Sequence, residues 1–306
     1  MADFGIFYFP TDYTMQGCFE PEDRTSGARA MGPAEIAREA EARGFESIFF
    51  PEHTHIPTPR KTAWAGGPQL PAEYWHTIDP FVALGAAAPV TSRIRLGTGI
   101  AIVTQRDPFS FAKQAASLDW VSGGRLILGI GSGWNAEEME NHGTEFADRW
   151  KVTRERIVAM RAIWTQPKAE FHGQFVDFDP VLAWPKPAQQ GGPPVLLGSQ
   201  SKWALRRVVE YCDGWMPIFV PGMMEPSNEV EQLRRLAEEH GRSFASLSLS
   251  CFALNPFGGA PPEEFLRRLF SLGFSRIVLR VPSVSADEAL CALDEYKTIA
   301  HRVLSA

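Results

Sequence analysis

The segment Leu96-Gly-Thr-Gly-Ile-Ala-Ile-Val-Thr-Gln-Arg-Asp-Pro108 decides the fold, because a strand, a bend and a helix start follow one another in it. Its first part is apolar and β-branched, which favours a buried strand, and its glycines permit unusual backbone angles near the strand end. Asp107 before Pro108 is typical of a helix N-cap and first helical position. That helix would end at Gly123-Gly124, before a second apolar strand, Leu126–Ile130. The segment therefore predicts a β-α-β unit, whose parallel strands present a ligand site at their carboxyl ends.

The same alternation of strand and helix continues along the chain. The predicted strands are residues 4–9, 47–50, 96–103, 126–130, 195–198, 214–219, 247–252 and 277–281. Eight strands with a helix after each predict an α/β protein, a (β/α)8 TIM barrel in which residues 1–306 form a single domain. Three aromatic, Pro/Gly-rich stretches, 10–32, 54–80 and 166–193, are predicted insertions, and the first two follow strands directly. We therefore expect them to cover the carboxyl-end face and to form pocket walls.

Composition narrows the class of protein. The chain has 306 residues, 44% of them hydrophobic, and a net charge of -6 without a basic block, so a nucleic-acid partner is not expected. The four cysteines are widely spaced, which indicates reduced, mostly structural thiols. The chain has no long apolar run and no leader-like start, so we expect no membrane partner and a cytoplasmic enzyme.

A titratable pair, Glu52-His53, directly follows the second predicted strand. His53 can exchange a proton near neutral pH, and Glu52 can orient or charge it. A hydrogen-bonded loop histidine explains the position equally well. His53 and His55 also resemble the metal pair of amidohydrolases, but none of the seven histidines lies between His172 and His240, where strands five and six end. A metal site is therefore disfavoured.

Two glycine turns follow the fourth and fifth strands. The first contains Gly131, Ser132 and Gly133 before Trp134, and the helix after it has an acidic first turn. Closely spaced glycines let the backbone approach a flat ring or a phosphate, although Trp134 replaces the third glycine of a dinucleotide-binding motif. The second turn is Gly198-Ser199, which can bind a phosphate or can be an ordinary capped turn.

In their order and spacing, these motifs resemble the bacterial luciferase-like flavin and deazaflavin oxidoreductases, and within them the branch that uses coenzyme F420. The resemblance rests on Glu52-His53, the Leu96–Ile100 strand with Asp107-Pro108, the Gly129–Trp134 turn, Pro185-Lys186-Pro187 with Pro193-Pro194, and Gly198-Ser199. It implies a coenzyme across the carboxyl ends of the strands and hydride transfer at its central ring. It also implies a non-prolyl cis peptide at Gly99-Ile100 that backs this ring.

The resemblance further implies the roles of individual residues. His53 would donate or accept a proton beside the ring, and Glu52 would contact the coenzyme. The predicted catalytic residues are His53 and Glu52, and the predicted coenzyme-binding residues are Glu52, His53, Gly99, Ile100, Gly131, Ser132, Gly133, Trp134, Glu137, Gly198 and Ser199. In sugar-phosphate dehydrogenases of the family an acidic residue stands where this chain has Trp134. That departure disfavours sugar phosphates and indicates a flatter or more apolar substrate.

The leading functional hypothesis is hydride transfer between coenzyme F420 and a small organic substrate. The alternative is an FMN-dependent two-component monooxygenase that uses O2 and receives reduced flavin from a partner reductase; a non-redox barrel hydrolase is a remote third reading. The resemblance implies a homodimer, for which the apolar helices after strands three and four could supply the interface. Arg106, Arg280 and Lys61 could bind anionic groups on the substrate or the coenzyme, but each is interpreted as a solvated or structural charge.

Overall fold

The computed structural model describes residues 3–12, 29–223 and 226–305. The strands are β1 (Asp3–Phe7), β2 (Ser47–Phe50), β3 (Arg95–Thr98), β4 (Ala101–Ile102), β5 (Leu126–Gly131), β6 (Ala169–His172), β7 (Asp177–Val181), β8 (Val195–Leu197), β9 (Gly214–Trp215), β10 (Ile218–Phe219), β11 (Ser248–Ala253) and β12 (Arg276–Arg280). The helices are α1 (Pro33–Ala42), α2 (Glu73–His76), α3 (Pro80–Ala87), α4 (Pro108–Val121), α5 (Ala136–Asn141), α6 (Arg149–Thr165), α7 (Ala204–Tyr211), α8 (Ser227–Glu239), α9 (Glu263–Ser271) and α10 (Ala286–Leu304).

The main sheet is closed and entirely parallel. β1 pairs with β2 on one side and with β12 on the other, and the remaining strands continue the circle in chain order. β3 and β4 both pair with β5, and β9 and β10 both pair with β11, so each of these pairs occupies one barrel position. Within the described residues, ten strands thus fill eight positions, which confirms the predicted (β/α)8 barrel.

Side-chain caps fix the starts of two helices, and the first of them, at Asp107 and Pro108, is the start that the sequence predicts. The Asp107 carboxylate accepts a hydrogen bond from the Ser110 amide at 2.8 Å, and α4 begins with Pro108. The Ser285 hydroxyl accepts from the Glu288 amide and caps α10. Predicted strands 96–103 and 214–219 are each interrupted, since two residues in the middle of each leave the ladder.

The insertions differ in what the structure describes. Residues 13–28 of the first insertion, with Cys18, lie outside the described residues. The second insertion contributes α2 and the loop before it to the carboxyl-end face. The third contains an antiparallel hairpin, β6–β7, that the sequence reading did not predict. Cys212 and Cys251 are free and buried, and Cys291 is free and exposed.

The core has two layers. The larger layer packs the helices against the outside of the barrel, and a smaller cluster fills the barrel interior with Phe49, Ile127, Leu196, Met216, Phe252 and Val278. The opposite end is closed by Arg276, whose Nε and Nη2 donate to the two carboxylate oxygens of Glu46 at 2.7 and 2.6 Å. Because the interior is filled, a ligand can enter the barrel only at the carboxyl ends. No helix in the described ranges is long and apolar enough to cross a membrane.

Candidate active site

A cavity of about 360 Å³ opens at the carboxyl ends of the barrel strands. It is lined by ten of the residues predicted from sequence, namely Glu52, His53, Gly99, Ile100, Gly131, Ser132, Gly133, Trp134, Gly198 and Ser199. These residues come from four separate regions of the chain, and the parallel barrel brings them together because it aligns the carboxyl ends of its strands. The cavity is therefore the candidate active site.

His53 is held by a carboxylate that the sequence reading did not single out. Its Nδ1 lies 2.9 Å from Oε2 of Glu138, and the two side chains are only 6% and 1% exposed. A carboxylate accepts hydrogen bonds, so this contact places a proton on Nδ1 of His53. Nε2 has no hydrogen-bond partner within the described part of the chain, and His53 lines the cavity. It can therefore take up a proton from a ligand or deliver one to it.

Glu52 contacts Arg106 and the backbone of β4 rather than His53. Its carboxylate pairs with Nη2 of Arg106 and accepts a hydrogen bond from the Ile102 amide at 2.5 Å. Burial raises the pKa of Glu52, while Arg106 and the Ile102 amide, which stabilise the charged form, act against it. The prediction that Glu52 orients His53 is thus corrected, because Glu138 has that position and Glu52 instead binds the amide of Ile102, the second residue of β4.

Arg106 is neither solvated nor a ligand for an anion. Besides Glu52 it pairs with Asp79, with Nη2 2.8 Å from Oδ2, and its guanidinium lies 4.8 Å from the ring centre of Phe81. The positive charge of Arg106 is thus balanced by two carboxylates and rests against an aromatic ring. Arg106 therefore joins the second insertion to the barrel.

The Gly99–Ile100 peptide bond corrects another prediction. The cis bonds in the described residues precede Pro59 and Pro185, so the Gly99–Ile100 bond is trans. A non-prolyl cis bond costs about 3–4 kcal/mol. The break between β3 and β4 brings Ile100 to the cavity without that cost, and the Gly99 amide still donates to the Phe50 carbonyl at 2.7 Å.

Ile100 lies in a groove that glycines make possible. A Cβ on Gly198 would come within 2.4 Å of Ile100 Cδ1, and a Cβ on Gly131 within 2.9 Å of Ile100 Cγ2. Side chains at these two positions would collide with Ile100 or push it upward. The two glycine turns therefore hold Ile100 as an apolar floor of the cavity.

Glu137 does not line the cavity. Its carboxylate accepts hydrogen bonds from the amides of Lys61 and Thr62 at 3.1–3.3 Å, and the Thr62 hydroxyl accepts from the Ala136 amide at 3.3 Å. The prediction that Glu137 contacts the coenzyme is therefore wrong. Glu137 fixes the second insertion to the start of α5, since a carboxylate there also complements the helix N-terminus.

The turn after β8 is small and polar. The Ser199 hydroxyl donates to the Ser201 hydroxyl at 3.1 Å, and Nη1 of Arg207 donates to the same Ser201 oxygen at 3.2 Å. Trp215 Nε1 donates to the Ser199 carbonyl at 2.8 Å and holds the turn against β9. Hydroxyls beside a guanidinium can bind an anionic group, as the sequence reading expects for Gly198-Ser199.

Three aromatic side chains cover the site: Trp134, which the sequence predicts to bind the coenzyme, and Trp64 and Tyr74, to which the prediction gave no individual role. Trp64 and Tyr74 come from the second insertion, and their ring centres are 5.7 Å apart. Tyr74 lies 5.2 Å from the His53 ring, and Trp134 lies 5.8 Å from it on another side. Their aromatic character within a predicted pocket wall was the available signal, but contact with His53 depends on how the insertion folds.

His55 points away from the cavity. Its Nδ1 is 2.9 Å from the Thr54 hydroxyl, and its Nε2 is 2.9 Å from Asn141 Nδ2. The described residues contain no group of three or more His, Cys, Asp or Glu side chains arranged to hold a metal ion. The His-x-His pair therefore does not converge as a pair of metal ligands would.

Fold and cavity together define a (β/α)8 barrel protein with a candidate small-molecule site at the carboxyl ends of its strands. Comparison with known families makes this more specific. The chain belongs to the luciferase-like monooxygenase family, whose sequence profile matches residues 13–304. An uncharacterized protein of Mycobacterium tuberculosis is 38% identical over 264 residues, which cover 85% of this chain and 91% of that protein.

Solved structures agree on the fold. An F420-dependent secondary alcohol dehydrogenase in complex with an F420-acetone adduct is similar with a TM-score of 0.72 at 16% identity, covering 99% of both chains. The oxygenating constituent of 3,6-diketocamphane monooxygenase from Pseudomonas putida, in complex with FMN, is similar with a TM-score of 0.62 at 18% identity, covering 89% of this chain and 72% of that one. At these identities the likeness concerns the barrel fold.

Proposed function

We propose that this protein is a coenzyme F420-dependent oxidoreductase that transfers a hydride between the deazaflavin and a small organic substrate. The observation that carries the proposal is His53, whose Nδ1 is held by Glu138 and whose Nε2 is left to a ligand above an apolar floor. Hydride transfer to a polar double bond also needs a proton, and this pair is suited to supply it.

The lining of the cavity fits a planar ring with a polar extension. Ile100, fixed between Gly131 and Gly198, offers an apolar surface on which a ring can lie. At one edge of this floor, the Ser199 turn with Arg207 offers donors for an anionic part of the coenzyme. The bound coenzyme would supply a hydride donor or acceptor at its central ring.

The residues of this chain would then act on the substrate's proton. In the reducing direction the substrate carbon gains a hydride, and Nε2–H of the His53 imidazolium protonates the oxygen or nitrogen of a carbonyl or imine, or the adjacent carbon of an activated alkene. The substrate would thus gain two electrons and one proton as the hydride that the reduced coenzyme supplies, and a second proton from His53, which would recover its own proton from solvent. Glu138 stabilises the imidazolium and holds the ring in place, since its carboxylate bonds Nδ1 in both charge states.

An FMN-dependent monooxygenase is the second candidate. The description of the matched family and the FMN complex among the similar folds favour it. In that case the reduced flavin would come from a partner reductase and react with O2. The same floor and His53 would serve it, so the coenzyme decides between the two functions.

Titration of the purified protein with oxidised F420 and, separately, with FMN tests the proposal through the fluorescence of each coenzyme. We expect the dissociation constant for F420 to be at least tenfold below that for FMN, a difference of about 1.4 kcal/mol. Tighter binding of FMN than of F420 would contradict the proposal and favour the FMN-dependent monooxygenase. Binding of neither coenzyme would contradict both proposals.

A further inference from the structure

We infer that the substrate of this cavity is an uncharged molecule with an apolar ring or chain, held by Trp64, Tyr74 and Trp134 and offering one polar atom to His53. The inference rests on the proposed function, because it assigns what binds beside the coenzyme. It excludes organic acids, phosphate esters and amines as the molecule bound at His53.

The first argument is the aromatic wall, by which we mean Trp64, Tyr74 and Trp134. All three line the cavity, and Tyr74 and Trp134 flank the His53 ring at 5.2 and 5.8 Å between ring centres. The aromatic wall and the Ile100 floor are apolar surfaces, and His53 Nε2 lies among them as a polar atom without a hydrogen-bond partner in the described residues. Such a lining favours apolar surface with a single polar group placed at His53.

The second argument is that the charged side chains of the described lining are already paired. Glu52 is neutralised by Arg106. Arg280 is paired with the carboxylate of Glu73, which also accepts a hydrogen bond from the Ser283 hydroxyl at 3.0 Å. An anionic substrate would have to share Arg280 with the Glu73 carboxylate, whose like charge opposes its binding.

The third argument concerns cations, since aromatic walls can also bind ammonium groups. Here cations already occupy aromatic faces around the cavity. The Arg60 guanidinium lies 5.5 Å from the ring centre of Trp134, and that of Arg280 lies 5.7 Å from the ring centre of Phe9. A cationic substrate would have to displace these guanidinium groups from the ring faces that it needs, so a neutral substrate remains.

Three probes with one ring test the inference: cyclohexanone, cyclohexanecarboxylate and cyclohexylammonium. Each is titrated into the coenzyme-loaded protein, and binding is measured by calorimetry rather than by turnover. We expect the ketone to bind at least tenfold more tightly than either ion. Trp134→Ala should weaken ketone binding at least threefold and Trp134→Phe should largely restore it, because phenylalanine keeps an aromatic surface there.

Trp75→Ala is the matched control, since Trp75 follows Tyr74 on α2 but is 45% exposed and does not line the cavity. It should leave ketone binding unchanged. Equal or tighter binding of either ion, or no ketone binding to the loaded protein, would overturn the inference while leaving the proposed function intact. Failure of the protein to bind the coenzyme in the loading step would instead overturn the proposed function.

Discussion

Glu138 reaches His53 because it lies in the first turn of α5, directly after the glycine turn that ends β5. The Asn135 side chain accepts from the Glu138 amide at 3.4 Å and begins the helix, which aims Glu138 inward while Glu137 faces the second insertion. Adjacent helical residues point about 100° apart, so one residue of register decides which glutamate enters the site. That register positions the proposed proton-transfer pair.

The first prediction therefore concerns Glu138→Gln. Glutamine can still contact His53, but it carries no charge to stabilise the imidazolium, so we expect turnover to fall at least tenfold while coenzyme affinity stays within twofold. Steady-state kinetics and coenzyme titration measure the two quantities. Glu140→Gln is the control, because Glu140 is exposed on the same helix. Unchanged turnover in the Glu138 variant would remove Glu138 from the mechanism.

The sequence predicted most of the candidate site but chose the wrong glutamate as the partner of His53. His53 and the glycine turns could be predicted because strand ends are legible from local pattern. Glu52 was adjacent to His53 in sequence and was therefore taken as its partner. Both residues follow the end of β2, and there the Glu52 carboxylate meets Arg106 while His53 meets Glu138, contacts that local sequence does not specify.

At the scale of elements, the break between β3 and β4, which together form the third position of the barrel, contributes most to the shape of the cavity. Between β3 and β4 the chain leaves the ladder and places Ile100 over the ends of β5 and β8, where glycines provide the space. A sequence can predict the apolar run and its glycines. It cannot predict the break, because the break depends on contact with glycines about thirty and about one hundred residues further along the chain. The β6–β7 hairpin was missed for a similar reason, since its pairing is short and irregular.

Gly198→Ala gives the second prediction. The added methyl group would fall 2.4 Å from Ile100 Cδ1 and displace Ile100 into the cavity, so we expect coenzyme affinity to fall about tenfold. Adding Ile100→Ala to this variant should recover part of the affinity, because the collision is then removed. Gly85→Ala is the control, since nothing lies within 4 Å of a Cβ there. Full affinity in the Gly198 variant would show that Ile100 is not the floor on which the coenzyme lies.

At the scale of the whole molecule, the end of the barrel opposite the cavity carries the pair of Glu46 and Arg276. The side chains are 23% and 10% exposed and share two hydrogen bonds. Burial raises the pKa of Glu46, but the Arg276 guanidinium outweighs it and holds this pKa below its usual 4.5. A carboxyl group with a lowered folded-state pKa stabilises the fold above pH 4.5, and that contribution is lost as the pH falls further.

We accordingly predict that Arg276→Met destabilises the protein by about 3 kcal/mol at pH 7, because it leaves the Glu46 carboxylate without its partner. The deficit should shrink as the pH falls, because Glu46 becomes protonated first in the variant, where Arg276 no longer offsets burial, and only at lower pH in the unaltered protein. Urea unfolding at several pH values measures the free energy of unfolding. Arg235→Met, at an exposed position on α8, should have little effect. A deficit that does not change with pH would assign the loss to packing alone.

The homodimer expected from sequence stays a prediction. Trp120 and Val121 at the end of α4 are 62% and 61% exposed, and Leu182 and Trp184 after β7 are 72% and 61% exposed. Exposed apolar side chains of this size favour burial against another surface. We expect sedimentation equilibrium to give twice the chain mass of 34.0 kDa and Trp120→Glu to shift the protein toward the monomer. A monomer at all concentrations would contradict the prediction.

The most direct test of the central claim is a crystal structure of the protein with oxidised F420. The account predicts that the deazaflavin ring lies on Ile100, within about 4 Å, with His53 Nε2 beside the ring and the coenzyme's anionic part at the Ser199 turn. A ring bound elsewhere, for example in the groove between α4 and the segment around Leu182, would contradict it. So would a ring in the cavity with His53 turned away from it and Glu138 unpaired.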